Sequence, residues 1–338
     1  MSGSDATMEA MSGYGDNWGL IGHEWAVNLL AGRLATGHTS HAYLFTGPAQ
    51  VGKTTLALRL AQALNCTGAN PPCGGCRACW LIEERAHPDV LFVEAEGASL
   101  KIDAIRSLQG FLTLRPFEAR YRIAIILRAQ ETTPSAADAL LKTLEEPPPA
   151  ARLFLTADAA GSLLPTIVSR CQVIPLRTVP VAQIEAALRE QSGCPPEEAE
   201  LLAHLSAGRP GWALSAAREP QILAQRAEII EQMLTVLQAN RTARFQYAEG
   251  LARTEGLENV LAVWQSWWRD AMLLSEGSRA RLLNVDHLAT LEQVASHSGP
   301  EEIRRAVRAI RETLKNITTT NVNTRLALEV MLLDMPYL

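Results

Sequence analysis

Between residues 17 and about 177, apolar residues come in short runs separated by polar, Gly-rich and Pro-rich stretches. Ala42-Tyr-Leu-Phe45, Asp89-Val-Leu-Phe-Val93, Arg122-Ile-Ala-Ile-Ile-Leu127, Arg152-Leu-Phe-Leu-Thr156 and Val173-Ile-Pro-Leu176 each have the length of a strand. The third is continuously apolar, as a strand covered on both faces must be. Helical periods lie between them at 54–64, 102–112 and 135–144, and Pro147-Pro148-Pro149 stops the last. Strands alternating with helices predict an α/β domain whose parallel sheet is covered on both faces. Ligands in such sheets sit beyond the carboxyl ends of the strands.

From residue 179 the period is helical throughout. A small stretch reaches about 217 and is broken by Gly208-Arg-Pro-Gly211 near its end. Beyond it, Ile222, Ile229, Met233 and Leu237 keep one face. Val260, Leu261, Trp264, Trp267 and Trp268 form a bulky stripe, and Val307, Ile310, Leu314 and Ile317 form another. The tryptophan stripe reads as packing within this region or between subunits. The expected division is a flexible tail over 1–16, an α/β domain over 17–178, a small helical domain over 179–218 and a helical domain over 219–338.

Composition narrows this picture. A chain of 338 residues suits two or three domains, and 47 % hydrophobic residues give each a core. The formal net charge of -5 argues against a protein that grips DNA mainly through its own surface charge. No apolar run approaches the ~18–20 residues of a membrane helix. The opening MSGSDATMEAMSGYGDNW lacks the basic start and apolar core of a signal peptide, so a soluble, cytoplasmic protein is expected.

The first candidate chemistry follows the first strand. Gly47-Pro-Ala-Gln-Val-Gly52-Lys53-Thr54 matches the phosphate-loop pattern G-x-x-x-x-G-K-[ST] in full. Gly47 and Gly52 let backbone N–H groups approach phosphate oxygens, and the next helix offers its N-terminus to an anion. Lys53 would reach the terminal phosphates and Thr54 would ligate Mg²⁺, with Thr55 beside them in the first helical turn. The ligand so predicted is ATP or ADP with Mg²⁺. Hydrolysis needs acids after the third strand, and Leu127-Arg128-Ala129-Gln130 stands there. Leucine binds no metal, and arginine is no base near pH 7. Glu131 would serve only if the strand ended later. The loop is therefore expected to hold a nucleotide and do little chemistry with it.

The second candidate is Cys66-x6-Cys73-x2-Cys76-x2-Cys79. Four thiolates fill a tetrahedron around Zn²⁺ and leave no place for water, which makes the site structural. An iron–sulfur cluster and free thiols are the alternatives. Cys171 and Cys194 stand apart and read as core residues.

Several stretches now combine: the phosphate loop, the cysteine knuckle, His87-Pro-Asp-Val90, KIDAIRSL from Lys101, ADALLKTLEEPPP from Ala137, TIVSRCQVIPL from Thr166 and NVNTRLALEVMLLDM from Asn321. Together they resemble the delta-prime subunits of the bacterial DNA polymerase III clamp loader, within the AAA+ superfamily. The resemblance implies an AAA+ domain over 17–178 with a zinc-binding knuckle at 66–79, a helical lid over 179–218 and a collar over 219–338. It implies gamma/tau and delta subunits as partners in a hetero-pentamer, with the sliding clamp and primer-template DNA reached through that assembly and no membrane. The loader uses ATP to place the clamp on primed DNA. The chain would be part of the polymerase holoenzyme without polymerase chemistry of its own.

By the same likeness Ser169-Arg170-Cys171 carries an arginine finger, so Arg170 would enter the ATP site of a neighbouring subunit. Active subunits of this group carry the missing acids and a lid arginine; the matching lid position here is Gly211, with Arg209 two residues away. Both losses imply a stator rather than a motor. An active gamma/tau-type ATPase is the alternative within the family, and a nucleotide kinase with a zinc lid is the alternative outside it. Thr156 matches a polar residue kept near the γ-phosphate. Asp138 stands where the family has Asn, and Lys142 reads as a solvated lysine or a phosphate contact. His41 and His87 read as capping or core residues.

Overall fold

The computed structural model describes residues 17–95, 97 and 99–338; the expected tail, 1–16, lies outside them. The apolar runs become β1 (Ala42–Thr46), β2 (Val90–Val93), β3 (Arg122–Ile126), β4 (Ala151–Ala157) and β5 (Gln172–Pro175). They form a parallel sheet in the order β2-β3-β4-β1-β5. Every residue of β1 and β3 is buried, which explains why their sequences do not alternate.

Period-two geometry divides these side chains between two cores. Tyr43, Phe45, Ile123, Ile125 and Phe154 face one core, shared with α1 (Glu24–Ala35) and α2 (Lys53–Asn65). Leu44, Ala124, Ile126, Leu153 and Leu155 face the other, shared with residues of α4 (Ile102–Thr113) and α5 (Pro134–Glu145). Short helices α3 (Arg77–Glu83) and α6 (Pro165–Val168) complete this part. The register pairs Phe45 with Thr156 and Thr46 with Ala157. Insertion of β4 between β1 and β3 therefore sets the end of β4 directly beside the phosphate loop.

Helices α1 and α3 have no counterpart among the expected elements. The N-cap of α1, His23, is left-handed at φ 64° and makes no side-chain capping bond, so the usual start signal is missing. Cys76 caps α3, its thiol accepting the Cys79 N–H.

The chain divides into two compact units. One runs to residue 187 and takes in 208–212; the other comprises 188–207 and 213–338. The remaining helices are α7 (Val181–Ser192), α8 (Pro196–Leu205), α9 (Pro210–Arg218), α10 (Gln221–Gln238), α11 (Arg241–Leu251), α12 (Leu257–Ser275), α13 (Leu288–His297), α14 (Pro300–Thr319) and α15 (Thr324–Asp334). Helices α7 and α9 thus pass from one unit to the other.

In the second unit Trp264, Trp267 and Trp268 are fully buried among Met233, Leu261, Ile310 and Leu332. The stripe is this unit's own core. Arg244 is buried completely and, among the described residues, has no carboxylate partner. Its guanidinium donates to the carbonyls of Leu332 (2.7 Å), Met335 (3.0 Å), Leu237 (2.8 Å) and Pro336 (2.8 Å). It also lies 3.7 Å from the centre of the Tyr337 ring. The guanidinium thereby serves carbonyls in and just past the last turn of α15 and that of Leu237 in the last turn of α10, which also accepts the Leu338 N–H at 3.3 Å.

Candidate functional site

At the end of β1 the chain turns through Gly47, whose φ is 144°. A Cβ there would lie 2.2 Å from the Leu176 carbonyl oxygen, so no other residue fits without moving the backbone. The Gly47 N–H points to the carbonyls of Ala157 and Asp158, 3.2 Å from each. Gly52, at φ 113°, is the N-cap of α2. Thr54 is half-buried and Thr55 exposed in the first turn of this helix. The Lys53 ammonium donates to the carbonyl of Gly47, to that of Pro48 (3.2 Å) and to Asp158 Oδ1 (2.9 Å). His23 braces the loop from the other side, with Nε2 3.0 Å from the Val51 carbonyl oxygen. The expected loop residues are thus brought together.

A cavity of about 620 Å³ is lined by His23, Trp25, Arg177, Val179 and Gln183, among others. No sequence motif pointed to it. The available signal was Trp25, an aromatic residue left 47 % exposed on the first turn of a helix.

Where hydrolytic acids would stand, β3 gives way to Leu127, which is buried and donates its N–H to the Val93 carbonyl. Arg128 is left-handed (φ 51°) and its N–H donates to Thr156 Oγ1 at 3.0 Å. Glu131 follows in a single turn over 129–131, and its carboxylate lies 3.3 Å from Arg128 Nε. The acid nearest the loop comes instead from the end of β4. Asp158 Oδ2 accepts from Gln130 Nε2 at 3.1 Å while Oδ1 accepts from Lys53. The sequence reading did not single out Asp158. At Gly211 the backbone N–H donates to the Gln50 carbonyl at 2.9 Å, and a Cβ there would lie 2.8 Å from that oxygen. Position 211 is therefore closed by backbone.

The knuckle brings Cys66, Cys73, Cys76 and Cys79 together, their sulfurs all within 4.8 Å of one another. Sγ of Cys66 and Cys76 are 3.9 Å apart, and tetrahedral Zn–S bonds place sulfurs about 3.8 Å apart. Backbone N–H groups of Gly68 and Cys73 donate to Cys66 Sγ (3.3 and 3.4 Å), and that of Cys76 donates to Cys73 Sγ (3.3 Å). Such donors favour thiolates. Burial pushes the Cys76 thiol up, but bonds from Thr67 and Cys79 outweigh it and bring the thiol down to about 6. Burial holds the Cys79 thiol well above its usual value. The donor set and spacing fit Zn²⁺.

Arg170 follows α6. Its Nη1 donates to the Thr166 carbonyl at 3.0 Å and its Nη2 meets Glu145 Oε1 at 2.7 Å. The adjacent Cys171 packs against the second core of the sheet, and burial pushes its thiol up to about 12. Cys194 is half-buried. His41 bonds the Leu144 carbonyl at 3.2 Å. Buried His87 accepts the Asp89 N–H at Nδ1. Asp89 in turn accepts the N–H groups of Phe117, Glu118 and Ala119 and shapes the turn before β3. Asp138 and Lys142 are exposed, and nothing in the structure explains Asp138.

The family model described as "DNA polymerase III, delta subunit" matches residues 22–180. The model described as "DNA polymerase III, delta subunit, C terminal" matches 220–336. The chain is 30 % identical to Bacillus subtilis "DNA polymerase III subunit delta'" over 316 residues, covering 91 % of this chain and 94 % of that one. It is 37 % identical over 200 residues to the subunit of the same name from Pseudomonas aeruginosa, covering 57 % of this chain and 60 % of that one. Against Escherichia coli "DNA polymerase III subunit tau" the identity is 34 % over 203 residues, 58 % of this chain and 31 % of that longer protein.

Proposed function

Because the chain belongs to the delta-prime family of DNA polymerase III clamp-loader subunits, we propose that it is the stator of the loader rather than one of its motors. The end of β3 carries this reading. Leu127 is buried in the core and offers no metal ligand, and Arg128 carries a guanidinium paired with Glu131, which can neither hold a metal nor activate water there. The Arg128–Glu131 ion pair adds support, because it engages the one later acid that a longer strand could have offered.

In this reading residues 17–178 form the AAA+ domain, 179–218 the lid and 219–338 the collar. Gly47, Gly52, Lys53, Thr54 and Thr55 hold ATP or ADP with Mg²⁺ without turning it over. The four knuckle cysteines hold a structural Zn²⁺. The partners are gamma/tau and delta subunits in a cytoplasmic hetero-pentamer that loads the sliding clamp on primed DNA. Among the described residues no helix is long and apolar enough to cross a membrane.

Arg170 acts in trans. A guanidinium stays charged at any working pH and can bridge two phosphate oxygens. Supplied to a neighbour's phosphoryl-transfer site, such a group accounts for about 10³–10⁵ in rate. The half-exposed position of Arg170 after α6 supports this role.

The test has two arms. The purified chain should bind ATP, lose binding in Lys53→Ala, and show no turnover above that variant. In the loader reassembled with gamma/tau and delta, Arg170→Ala should slow ATP turnover and clamp loading while leaving assembly intact. The intact Lys53-Thr54 pair favours a second reading, an active gamma/tau-type motor. Lys53-dependent turnover by the isolated chain would establish that reading instead.

A further inference from the structure

An ammonium has three protons to give, and all three of Lys53's are directed at acceptors: Gly47 O, Pro48 O and Asp158 Oδ1. Two of these belong to the loop that a phosphate would enter. The third is a full negative charge, 2.9 Å away. It is held from its other oxygen by Gln130 Nε2 at 3.1 Å. The Asp158 main chain is fixed as well, because its carbonyl accepts the Gly47 N–H. The lysine side chain is 10 % exposed and the aspartate 59 %, so the carboxylate covers the cation from the solvent side. Phosphate must arrive from that side.

The geometry points to Asp158 as a specificity-determining residue of the phosphate loop, one that admits Mg²⁺-complexed nucleotide and resists metal-free nucleotide. This rests on the reading that the loop holds a nucleotide. A metal-free polyphosphate tail must displace the carboxylate from Lys53 and then remain beside it, like charge against like charge. Mg²⁺ cancels about two of the charges of the tail and offers the displaced carboxylate a hydrated cation to face. Asparagine at this position keeps the shape and a bond to Gln130 but removes the charge.

The experiment is nucleotide binding to the full chain, measured by titration calorimetry with ADP and with ATP, with and without millimolar MgCl₂. Metal-free buffer is prepared on chelating resin, so that no chelator competes for the cysteine site. Wild type should bind the Mg²⁺ complex at least about tenfold more tightly than free nucleotide, a partly screened single charge being the cause. Asp158→Asn and Asp158→Ala should bind free nucleotide about tenfold more tightly than wild type and change little in Mg²⁺. The partial exposure of Asp158 leads us to expect unchanged melting temperatures for both. Unchanged free-nucleotide affinity, with wild type binding normally, would overturn the role of Asp158 and leave the nucleotide-holding reading standing. Weaker binding of the Mg²⁺ complex by both variants would make Asp158 a metal-binding acid and overturn the proposal equally. No binding by wild type or by either variant under any condition would end both.

Discussion

The guanidinium of Arg170 and the carboxylate of Glu145 meet at 2.7 Å, joining the turn after α6 to the last residue of α5. Both side chains are well exposed, at 36 % and 50 %, so the pair adds less than about 1 kcal/mol to stability. Its effect should lie in where the arginine points. Glu145→Gln should therefore leave the melting temperature within about 2 °C of wild type. In the reassembled loader it should slow ATP turnover by less than Arg170→Ala does. A changed melting temperature with unaltered turnover would make the pair purely structural.

Zinc content is the simplest check on the knuckle. The native chain should carry one Zn²⁺ by atomic emission, and Cys79→Ser should carry none. Four thiolates closing a loop with few apolar residues make metal binding part of folding, so the variant should lose several kcal/mol. Visible absorption from iron in the native protein would replace zinc with a cluster.

Placing an arginine at position 211 should fail. In Gly211→Arg the new Cβ would meet the Gln50 carbonyl at 2.8 Å, and the loop would have to move. The expected cost is about 1–3 kcal/mol, with no gain of turnover. A stable Gly211→Arg protein with raised turnover would show that the residue at 211, rather than the missing acids, silences the site.

Arg244→Met should be among the most damaging changes in the helical unit. It leaves the buried carbonyls of Leu332, Met335 and Pro336 without this donor and that of Leu237 with the Leu338 N–H alone. The expected loss is at least about 3 kcal/mol, read by denaturant unfolding. Arg244→Lys should recover only part of it, since an ammonium cannot reproduce the planar fork. Equal stability of Arg244→Met and wild type would mean that water satisfies those oxygens.

His23 gives a dependence on pH. Burial lowers its pKa, against the opposing pull of the Val51 carbonyl and Glu24. Above the unfolded value of about 6.5 both states are neutral and stability is unaffected. Below it the unfolded chain takes up a proton that the folded chain resists, so stability falls until the lower folded pKa is reached. Melting temperature should drop from pH 7.5 to pH 5.5, and less steeply in His23→Asn, a residue that tolerates the left-handed backbone. Parallel slopes for the two proteins would remove His23 from the account.

Features written in neighbouring residues could be read directly. The strands were visible because each is a short apolar run, buried throughout in β1 and β3, and the knuckle because its thiols lie close along the chain. The phosphate loop was visible for the same reason, and so was the loss of the acids at Leu127 and Arg128. Relations across the fold were not visible. Asp158 lies 105 residues from Lys53, and an acid after a strand carries no motif of its own. Arg244 belongs to no motif, and its acceptors lie 7 to 92 residues away. The tryptophan stripe showed its bulk but not its destination, since a core and a subunit interface demand the same residues.

The first glycine of the phosphate loop has a reason to exist that involves no nucleotide. Gly47 is where the exit of β1 brushes the carbonyl beyond β5, and a single methyl group would part the two. A descendant that ceased to use ATP altogether would still need that glycine to close its sheet. Gly52, whose Cβ would meet only ordinary contacts with His23 (3.9 Å) and Leu20 (4.0 Å), is required only by its backbone angle. Half of the signature can thus survive as a fossil of the fold, and the evidence for a living nucleotide site rests on Lys53 and Thr54.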